Sequence, residues 1–438
     1  MRVLIDCTDT YHSGLNTGIP RVVKNFVNNA SIFGAEFGVE CIPVIMQGRS
    51  VFPLNGLADQ RYFRTKPALV ASLDSFYLWA SRGLAAYLPF RSIRRFLLAN
   101  RREAGLAWCL YYPVRALKRL PLIWVPRQSS PAGIEDSLGP SDILFLPDAF
   151  WAGRVSEIIP MLRERGVRIA YFIHDVIPFS HPNFCVSEHV KRFLHCWQSV
   201  TRLADLLVYN SRYTREMTEY YIKMDGVLPP KGAVVYLGHD FRAATTKEVT
   251  HPELGNVLAL SSNAFLCVGT LEPKKNQNTI IDAFEKLWKQ HVDASIIFVG
   301  RAGWLYDDLL VRIKRHPEFS NRLFWFDDVN DSDLVLAYQR CSALVYSSIV
   351  EGFGLPLVEA LSLGTPVIAS DIPVFREIAD GHARFFPPTD SFALAEAVKA
   401  HIATPERSAE AGSQFRWPTW RDSTRNLLSE IHDLVGDR

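Results

Sequence analysis

Short apolar runs alternate with amphipathic stretches of helical period in both halves of this chain. Strands of a parallel sheet are buried on both faces and are joined by crossover helices, so the pattern is typical of α/β units. The strand candidates are RVLIDC, VECIPVI, DILFLP, RIAYFI and LLVYN in the first half, and AFLCVG, ASIIFVG, RLFWF, ALVYSS and TPVIAS in the second. The sequence therefore predicts two α/β domains, with helices such as residues 277–291 and 356–363 between the strands.

A chain of 438 residues is too long for one ordinary hydrophobic core, which agrees with two domains. The strand candidate AVVYL ends just before Gly238 and a polar, Thr-rich stretch follows, so we place the domain boundary at about residue 240. The first domain then covers residues 1–240 and the second covers residues 241–416. We expect residues 417–438, which have a helical pattern, to form a helix that crosses back to the first domain.

The net charge of +2 hides a strongly basic segment, residues 60–128, which interrupts the α/β pattern of the first domain. It holds thirteen Lys or Arg residues, two acidic residues and twelve aromatic residues, which gives it a net charge of +11. In RSIRRFLLANRR, helical spacing separates an apolar face with Phe96 and Leu97 from an arginine face, as in helices that lie on a membrane. We expect this helical insertion to dock on an anionic membrane surface.

Two other interpretations of this segment remain open. One is a solvated basic subdomain whose aromatic residues form its own core, because amphipathic helices also pack in soluble proteins. A nucleic-acid surface is the poorer explanation, because nothing else in the chain resembles a nucleic-acid-binding module.

Cysteine usage and the amino terminus point to the cytoplasm. The seven cysteines are an odd number and are widely scattered, which favours reduced thiols. The amino terminus MRVLIDC lacks the apolar core of a secretory signal and is typical of a first strand. The longest uncharged stretch, residues 254–271, is interrupted by Gly, Ser and Asn residues, so no membrane-spanning helix is predicted.

The segment ALVYSSIVEGFGLPLVEALSLGTPVIAS combines a buried strand, a glycine-bearing loop, a helix that opens at Pro356 and another strand. In such units a ligand binds at the carboxyl end of the strand, beside the helix N-terminus. Gly352 and Gly354 let the backbone approach a ligand, and the first N–H groups of the helix favour an anion such as a diphosphate. Glu351 on the loop and Glu359, expected in the first turn of the helix, suit sugar hydroxyls as hydrogen-bond acceptors. The alternative is that Glu359 only complements the helix dipole and Glu351 is solvated.

A second segment, FLCVGTLEPKKNQNTIIDAF, ends a strand and places Lys274 and Lys275 in the loop before a helix. A lysine at this position neutralises the negative charge that develops on a departing nucleoside diphosphate. Taken alone, a pair of lysines is more often a solvated surface feature. Both segments belong to one parallel-sheet domain, which favours a shared site.

These segments resemble the large family of retaining GT-B glycosyltransferases, of the group 1 or family four type, whose Glu-x7-Glu signature is matched by Glu351 and Glu359. Further matches in the second half are VGTLEPKKN, FVGRAGW, VNDSDLVLAYQRCSALVYSSIVEGFGLPLVEAL and GTPVIASDIPVFREIA. The first half matches more sparsely, in TDTYHSGLNTGIPRVVKN, YFIHDVIPFSHP and VYNSRYT. The resemblance implies two Rossmann-like domains that face each other across a cleft, with the nucleotide sugar on the second.

The resemblance also implies roles for side chains of the second domain. Lys275 would hold the diphosphate, Glu351 the donor sugar and Glu359 the ribose hydroxyls. Many family members have Arg where this chain has Thr270, which leaves Lys274 as the second cation expected beside the diphosphate.

Further donor contacts are implied in both halves. The backbone of Phe353, Gly354 and Leu355 would face the donor. Gly18, which precedes a helix, resembles the family's flexible loop that meets the diphosphate from the opposite domain, with a plain turn as the alternative. His174 follows the strand RIAYFI and resembles the family histidine that contacts the transferred sugar, although a histidine at a strand end is often structural.

The family retains the anomeric configuration, and we expect front-face attack with His174, Lys275 and Glu351 as the catalytic residues. The acceptor hydroxyl then enters on the side of the leaving diphosphate, whose charge is stabilised by Lys275 and helix N–H groups. No cofactor and no metal are expected, because the sequence shows no cluster of metal ligands.

The motifs GTLEPKKN and GRAGWLYDD most resemble bacterial mannosyl and rhamnosyl transferases of surface polysaccharide synthesis. GDP-mannose is therefore the expected donor, and rhamnose, glucose or another hexose is the alternative. The expected acceptor is a glycan of O-antigen or capsule type on a lipid carrier, at the inner face of the bacterial inner membrane. A phosphorylase or epimerase of the same fold, or an inactive GT-B scaffold, are other classes of function.

Overall fold

The computed structural model describes residues 1–13, 18–57, 133–151, 155–240, 250–404 and 415–436. The basic, aromatic insertion predicted at residues 60–128 lies outside these residues. Within the described ranges, each half of the chain forms a sheet of mainly parallel strands.

The sheet of the first half has seven strands in the order β3-β2-β1-β4-β5-β6-β7. They are β1 (Arg2–Asp6), β2 (Glu40–Gln47), β3 (Ser50–Pro53), β4 (Ile143–Leu146), β5 (Arg168–Ile173), β6 (Leu206–Tyr209) and β7 (Lys231–Val234). β3 runs antiparallel to β2, and the other neighbouring strands are parallel. All residues of β4 and β6 are buried, as expected for strands that are covered by helices on both faces.

The sheet of the second half has six parallel strands in the order β10-β9-β8-β11-β12-β13. They are β8 (Ala264–Val268), β9 (Ser295–Val299), β10 (Leu323–Phe326), β11 (Ala343–Tyr346), β12 (Val367–Ser370) and β13 (Arg384–Phe386). The strand order reverses between β8 and β11, which are neighbours in space although two strands separate them in the chain. Ligands bind at such a topological switch point in open α/β sheets.

Helices cross over between the strands of both sheets. In the first half they are α1 (Thr8–Ser13), α2 (Ile19–Gly34), α3 (Val155–Glu164), α4 (Ile177–Ser180), α5 (Ser187–Leu203) and α6 (Arg212–Met224). In the second half they are α7 (Pro252–Leu260), α8 (Gln277–Lys289), α9 (Asp307–Arg315), α10 (Asp331–Arg340), α11 (Leu355–Ser362), α12 (Pro373–Ala379) and α13 (Ser391–Ala403), and α14 (Trp420–Gly436) ends the described chain. Short 3₁₀ turns occur at Glu135–Ser137, Pro182–Phe184 and Pro273–Lys275.

This architecture confirms the predicted α/β class with two Rossmann-like halves. Each of the ten strand candidates given first in the sequence analysis contains a strand, whereas the short strands β3 and β13 were not predicted. The strand expected in AVVYL lies earlier, at Lys231–Val234, because β7 pairs with β6 in the register Leu206 with Lys231 and Tyr209 with Val234.

The chain crosses between the two halves at two adjacent segments. The indole nitrogen of Trp417 donates to the carbonyl of Leu237 at 2.8 Å, and the N–H of His239 donates to the carbonyl of Pro418 at 3.1 Å. A Cβ on Gly238 would lie 2.3 Å from the nitrogen of Trp420, so this close approach requires glycine.

Helix α14 packs on the first half after this crossing. The ring of Trp420 meets that of Phe26 of α2 edge to face, with centroids 5.8 Å apart. Arg425 forms an ion pair with Glu36 at 2.5 Å. The carboxyl-terminal helix therefore belongs to the core of the first domain.

No helix in the described part combines the length and the apolarity that a membrane crossing requires. The six cysteines within the described ranges form no disulfide.

Candidate active site

The ends of β8 and β11 bring the two predicted chemical segments together. Lys274 and Lys275 lie in the 3₁₀ turn after β8, and Glu351 lies in the loop after β11. The two strands pair directly, with Ala343 opposite Phe265. Residues that are 76 positions apart in the chain therefore meet at the switch point of the second sheet.

Glu351 is the centre of this cluster. Its Oε1 lies 2.5 Å from Nζ of Lys275, and its Oε2 lies 3.1 Å from Nζ of Lys274. The hydroxyl of Ser348 donates to Oε1 at 2.8 Å. Burial alone would raise the pKa of Glu351, but the charges of the two lysines and these hydrogen bonds outweigh it and lower the pKa to about 2. The carboxylate is therefore ionised at any physiological pH.

Both lysines remain charged although they are largely buried. Nζ of Lys275 also donates to the hydroxyl of Tyr346 at 2.8 Å. Burial would lower the pKa of Lys275, but the negative charges of Glu351 and Glu272 outweigh it and raise the pKa. The same carboxylates raise the pKa of Lys274 against its burial. Two charged lysines thus stand just before the N-terminus of α8, an arrangement that suits an anionic ligand.

The loop after Glu351 depends on glycine at two positions. Gly354 has φ +134°, a conformation that side chains rarely adopt, and a Cβ there would lie 2.9 Å from the ring of Phe375. A Cβ on Gly352 would lie 1.8 Å from the carbonyl oxygen of His174 in the first domain. Gly354 is the N-cap of α11, so the loop delivers open backbone N–H groups to the site.

Glu359 differs from the expectation in its position and in its partners. It lies in the second turn of α11, not in the first, because the helix begins at Leu355. Its Oε1 lies 2.6 Å from an amino group of Arg21, and its Oε2 accepts a hydrogen bond from Tyr338 at 2.9 Å. Burial raises the pKa of Glu359 although the charge of Arg21 opposes it. Glu359 therefore joins the two domains across the cleft.

His174 lies at the carboxyl end of β5 and is buried, with 7% of its surface exposed. Its Nε2 lies 2.7 Å from the carbonyl oxygen of Pro147. A carbonyl only accepts, so this bond assigns the proton to Nε2 and leaves Nδ1 as an acceptor. Burial lowers the pKa of His174 below its usual value, so the imidazole is neutral at neutral pH. A neutral acceptor of this kind suits a sugar hydroxyl.

One cavity of about 850 Å³ lies between the two halves, and every predicted site residue lines it. Its lining includes Gly18, His174, Thr270, Lys274, Lys275, Glu351, Phe353, Gly354, Leu355 and Glu359. Gly18 caps α2 with φ +54°, and the ring of Phe353 lies 5.9 Å from that of Trp417. Within the described residues, no group of three or more His, Cys, Asp or Glu side chains is placed to hold a metal ion.

Further contacts fix the two halves against each other beside the cavity. The carbonyl of Gly352 accepts hydrogen bonds from the hydroxyls of Ser211 at 2.7 Å and Thr214 at 2.9 Å. The carboxylate of Glu377 in α12 accepts from the backbone N–H groups of Arg212 and Tyr213, which begin α6. The N-terminus of α6 and the loop after β11 are therefore held as one unit.

Sequence reasoning missed several of these residues. Tyr346 and Ser348 flank the end of β11 and contact Lys275 or Glu351, and their position at a strand end was the available signal. Arg21 lies in the first turn of α2 and gave no signal, because its partner Glu359 is in the other domain.

Comparison with known proteins agrees with this geometry. The model of the family "Glycosyl transferases group 1" matches residues 256–416. The serotype-specific mannosyltransferase WbdA of Escherichia coli is 33% identical over 282 residues, which are 62% of this chain and 34% of WbdA. The O-antigen chain mannosyltransferase RfbU of Salmonella typhimurium is 30% identical over 244 residues, which are 55% of this chain and 62% of RfbU. The match to this chain thus spans about a third of WbdA and less than two thirds of RfbU.

The fold comparison covers nearly the whole chain. The crystal structure of Anabaena HepE in complex with UDP and glucose matches with a TM-score of 0.59 over 98% of this chain and 99% of HepE. The sequence identity is 15%, so this likeness concerns the fold. Residues 256–416 are therefore a domain of the glycosyl transferases group 1 family, and the chain has the GT-B fold that its motifs predicted.

Proposed function

We propose that this protein is a retaining glycosyltransferase that moves a hexosyl group from a nucleotide sugar to a glycan acceptor. The observation that carries the proposal is the cluster of Lys274, Lys275 and Glu351 at the switch point of the second sheet. Two charged lysines beside open helix N–H groups suit a diphosphate, and an ionised carboxylate between them suits sugar hydroxyls.

The proposed reaction follows from this arrangement. The bond between the anomeric carbon and the diphosphate oxygen breaks, and the acceptor oxygen bonds to the same face of that carbon. The acceptor proton passes to the departing diphosphate oxygen. Lys275 exchanges its contact with Glu351 for the leaving group, whose new charge it stabilises, while Nδ1 of His174 accepts from a hydroxyl of the sugar. This scheme uses neither a metal nor a cofactor.

Mannose from GDP-mannose is the first choice of donor. The relatives WbdA and RfbU are both named as mannosyltransferases, and their matches cover more than half of this chain. A UDP-sugar donor is the second candidate, because the structure of HepE, with the same fold, contains UDP and glucose. The name of RfbU as an O-antigen chain enzyme supports a polysaccharide acceptor of the same kind.

The proposed location is the cytoplasmic face of the bacterial inner membrane, where a lipid-linked acceptor would be held. The support for it is the sequence of residues 60–128, whose net charge of +11 and twelve aromatic residues suit an anionic membrane surface. The enzyme would bind this surface peripherally, and it would reach the lipid-linked acceptor there.

The test is an activity assay with a panel of nucleotide sugars, namely GDP-mannose, UDP-glucose and dTDP-rhamnose. Each donor is combined with a set of mannose-, rhamnose- and glucose-terminated disaccharide glycosides. The proposal predicts release of nucleoside diphosphate together with an α-linked product, and most product with GDP-mannose. Absence of both nucleoside diphosphate and product with all combinations would contradict it and would favour an inactive scaffold.

A further inference from the structure

Three aromatic side chains line the same cavity and take no part in the proposed chemistry. They are Trp151 and His189 of the first domain and Trp304 of the second, and we call them the aromatic shelf. The rings of Trp151 and His189 are stacked, with centroids 5.4 Å apart and 23° between their planes. The ring of Trp304 stands edge-on to His189 at 6.4 Å. The three rings are therefore linked through His189, and they come from both domains.

Trp304 is held in place by a contact between the domains. It lies in the loop after β9, and its indole nitrogen donates to the carbonyl of Phe184 at 2.7 Å. This bond satisfies the polar atom of the ring and fixes its orientation. Trp304 and Trp151 are only partly buried, so both still present ring surface to the cavity.

His189 supplies a polar atom that has no protein partner among the described residues. Its Nε2 is buried and makes no hydrogen bond there. Buried polar atoms in folded proteins are nearly always paired, so this nitrogen of a cavity-lining residue calls for a ligand or a water as its partner. Burial lowers the pKa of His189, and the charges of Asp175 and Lys274 also act on it. A neutral imidazole thus lies within electrostatic reach of Lys274.

These features match the chemistry of a sugar ring. One face of a hexopyranose carries C–H groups, which pack on aromatic rings, and its rim carries hydroxyls, which need a few placed polar groups. The shelf offers ring surface together with one unpaired nitrogen. Its three members carry no cation for a diphosphate, and two of them belong to the domain opposite the lysines. The shelf therefore suits a second sugar better than it suits the donor.

We infer that the aromatic shelf binds a sugar ring of the acceptor glycan and presents its hydroxyl to the donor beside Lys275 and Glu351. This inference rests on the proposed glycosyltransferase function, and it adds a specificity subsite for the acceptor. His189 and the two tryptophans are positioning residues in this account, because they orient the acceptor and do not touch the bond that breaks.

The experiment compares substitutions in the shelf with matched controls elsewhere. Trp304→Leu and His189→Ala are the test variants. Trp325→Leu is the control for the first, because the Trp325 indole also donates to a backbone carbonyl but lies outside the cavity. His195→Ala is the control for the second, because His195 is an exposed residue of the same helix. All are made in the full chain, and folding is checked by thermal unfolding and by calorimetric binding of GDP and UDP.

Steady-state kinetics are then measured with the donor and disaccharide glycoside that give the wild-type protein its highest turnover. The expected result is that Trp304→Leu and His189→Ala each raise KM for the acceptor by about tenfold or more, with donor KM and nucleotide affinity within about twofold of wild type. Trp304→Phe, which keeps a ring, should recover part of the loss. The controls should leave both KM values unchanged.

An unchanged acceptor KM in both shelf variants would overturn the inference, and so would a parallel rise in donor KM, which would assign the shelf to the donor. Failure of the proposed function looks different. In that case the wild-type protein itself releases no nucleoside diphosphate with any donor, and the variants have no activity to compare.

Discussion

Arg21 of the first domain and Glu359 of the second form an ion pair of 2.6 Å across the cleft. The side chain of Glu359 is almost fully buried, and its other carboxylate oxygen accepts a hydrogen bond from the hydroxyl of Tyr338. The residue that the Glu-x7-Glu signature assigns to the ribose is thus also a contact between the domains. Under the proposed function, a nucleotide that binds Glu359 would share it with Arg21, which would link donor binding to the relative position of the domains.

The ion pair predicts a measurable coupling between its two members. Arg21→Met removes the positive charge that faces the buried Glu359, and Glu359→Gln removes the negative charge that faces Arg21. We expect each substitution to lower the unfolding midpoint, whereas the double variant should lose less than the sum of the two. The coupling energy should lie between about 0.5 and 3 kcal/mol, as for other contacting pairs. If the losses in unfolding free energy of the two single variants simply add up in the double variant, the ion pair contributes nothing to stability.

The second prediction concerns Gly352, where the two domains approach each other closely. Its hypothetical Cβ would lie 1.8 Å from the carbonyl of His174, which Asn210 also holds by a hydrogen bond of 2.7 Å. Gly352→Ala should therefore displace the loop that carries Glu351, and such misplacement costs about 10²-fold in turnover. We expect a larger radius of gyration in solution scattering as well.

Gly139→Ala is the matched control for this substitution, because a Cβ there meets no atom within 4 Å. It should keep wild-type turnover and dimensions. A Gly352→Ala variant that also kept both would refute the close approach of the two domains.

A buried carboxyl of the first domain predicts how stability changes with pH. Burial and repulsion by Asp148 raise the pKa of Asp6 to about 7. A carboxyl with a raised pKa favours folding while it is protonated, so this contribution is complete below about pH 4 and is lost as the pH rises towards 7. Asp6→Asn cannot ionise, so its unfolding midpoint should exceed that of wild type at pH 8 and approach it at pH 4.

The control for this experiment is Asp136→Asn, at an exposed position of the same domain. It should shift the midpoint little at either pH. If Asp6→Asn is no more stable than wild type at pH 8, the carboxylate of Asp6 is not destabilising in the folded protein.

The basic segment predicts binding to lipid. The full chain should sediment with vesicles of phosphatidylglycerol at low salt, and binding should fall as salt is added. Replacing Arg94, Arg95, Phe96 and Leu97 together by alanine should abolish it. Replacing Arg202 and Lys223, two exposed basic residues of the first domain, removes the same charge and should leave binding largely intact. If the wild-type chain does not sediment with these vesicles at low salt, the proposal that the basic segment binds a membrane is wrong.

The sequence was sufficient to place the predicted side chains at one edge of the second sheet, because these residues follow the ends of strands. Lys275 and Glu351 each lie in the segment that follows a buried apolar strand, and parallel strands end at one edge of the sheet. The pattern could not show that β8 and β11 are neighbours, since only the reversal of strand order brings them together. It also could not show that Lys275 and Glu351 bind each other.

Contacts between the domains were beyond sequence reasoning for a physical reason. The sequence around Arg21 does not indicate its partner Glu359, and the sequence around Ser211 does not indicate its partner Gly352, because both partners lie in the other domain. Strand ends were also imprecise, as at β7, where pairing with β6 decided the position. Local periodicity predicts which residues are buried, whereas tertiary approach decides which polar groups meet.

The most direct test of the account is the turnover of Lys275→Ala with the donor that wild type uses. Losing one preorganised stabiliser of the departing diphosphate typically costs about 2.7–4 kcal/mol in the barrier, or about 10²- to 10³-fold in kcat. We expect a loss of this size for Lys275→Ala, and smaller losses for Glu351→Ala and Glu359→Ala. Lys286→Ala removes a lysine that bonds to Ser391 within the same domain, outside the cavity, and should keep wild-type turnover. Nucleoside diphosphate release at the wild-type rate by a folded Lys275→Ala protein would contradict the central claim that Lys275 supports the departure of the nucleotide.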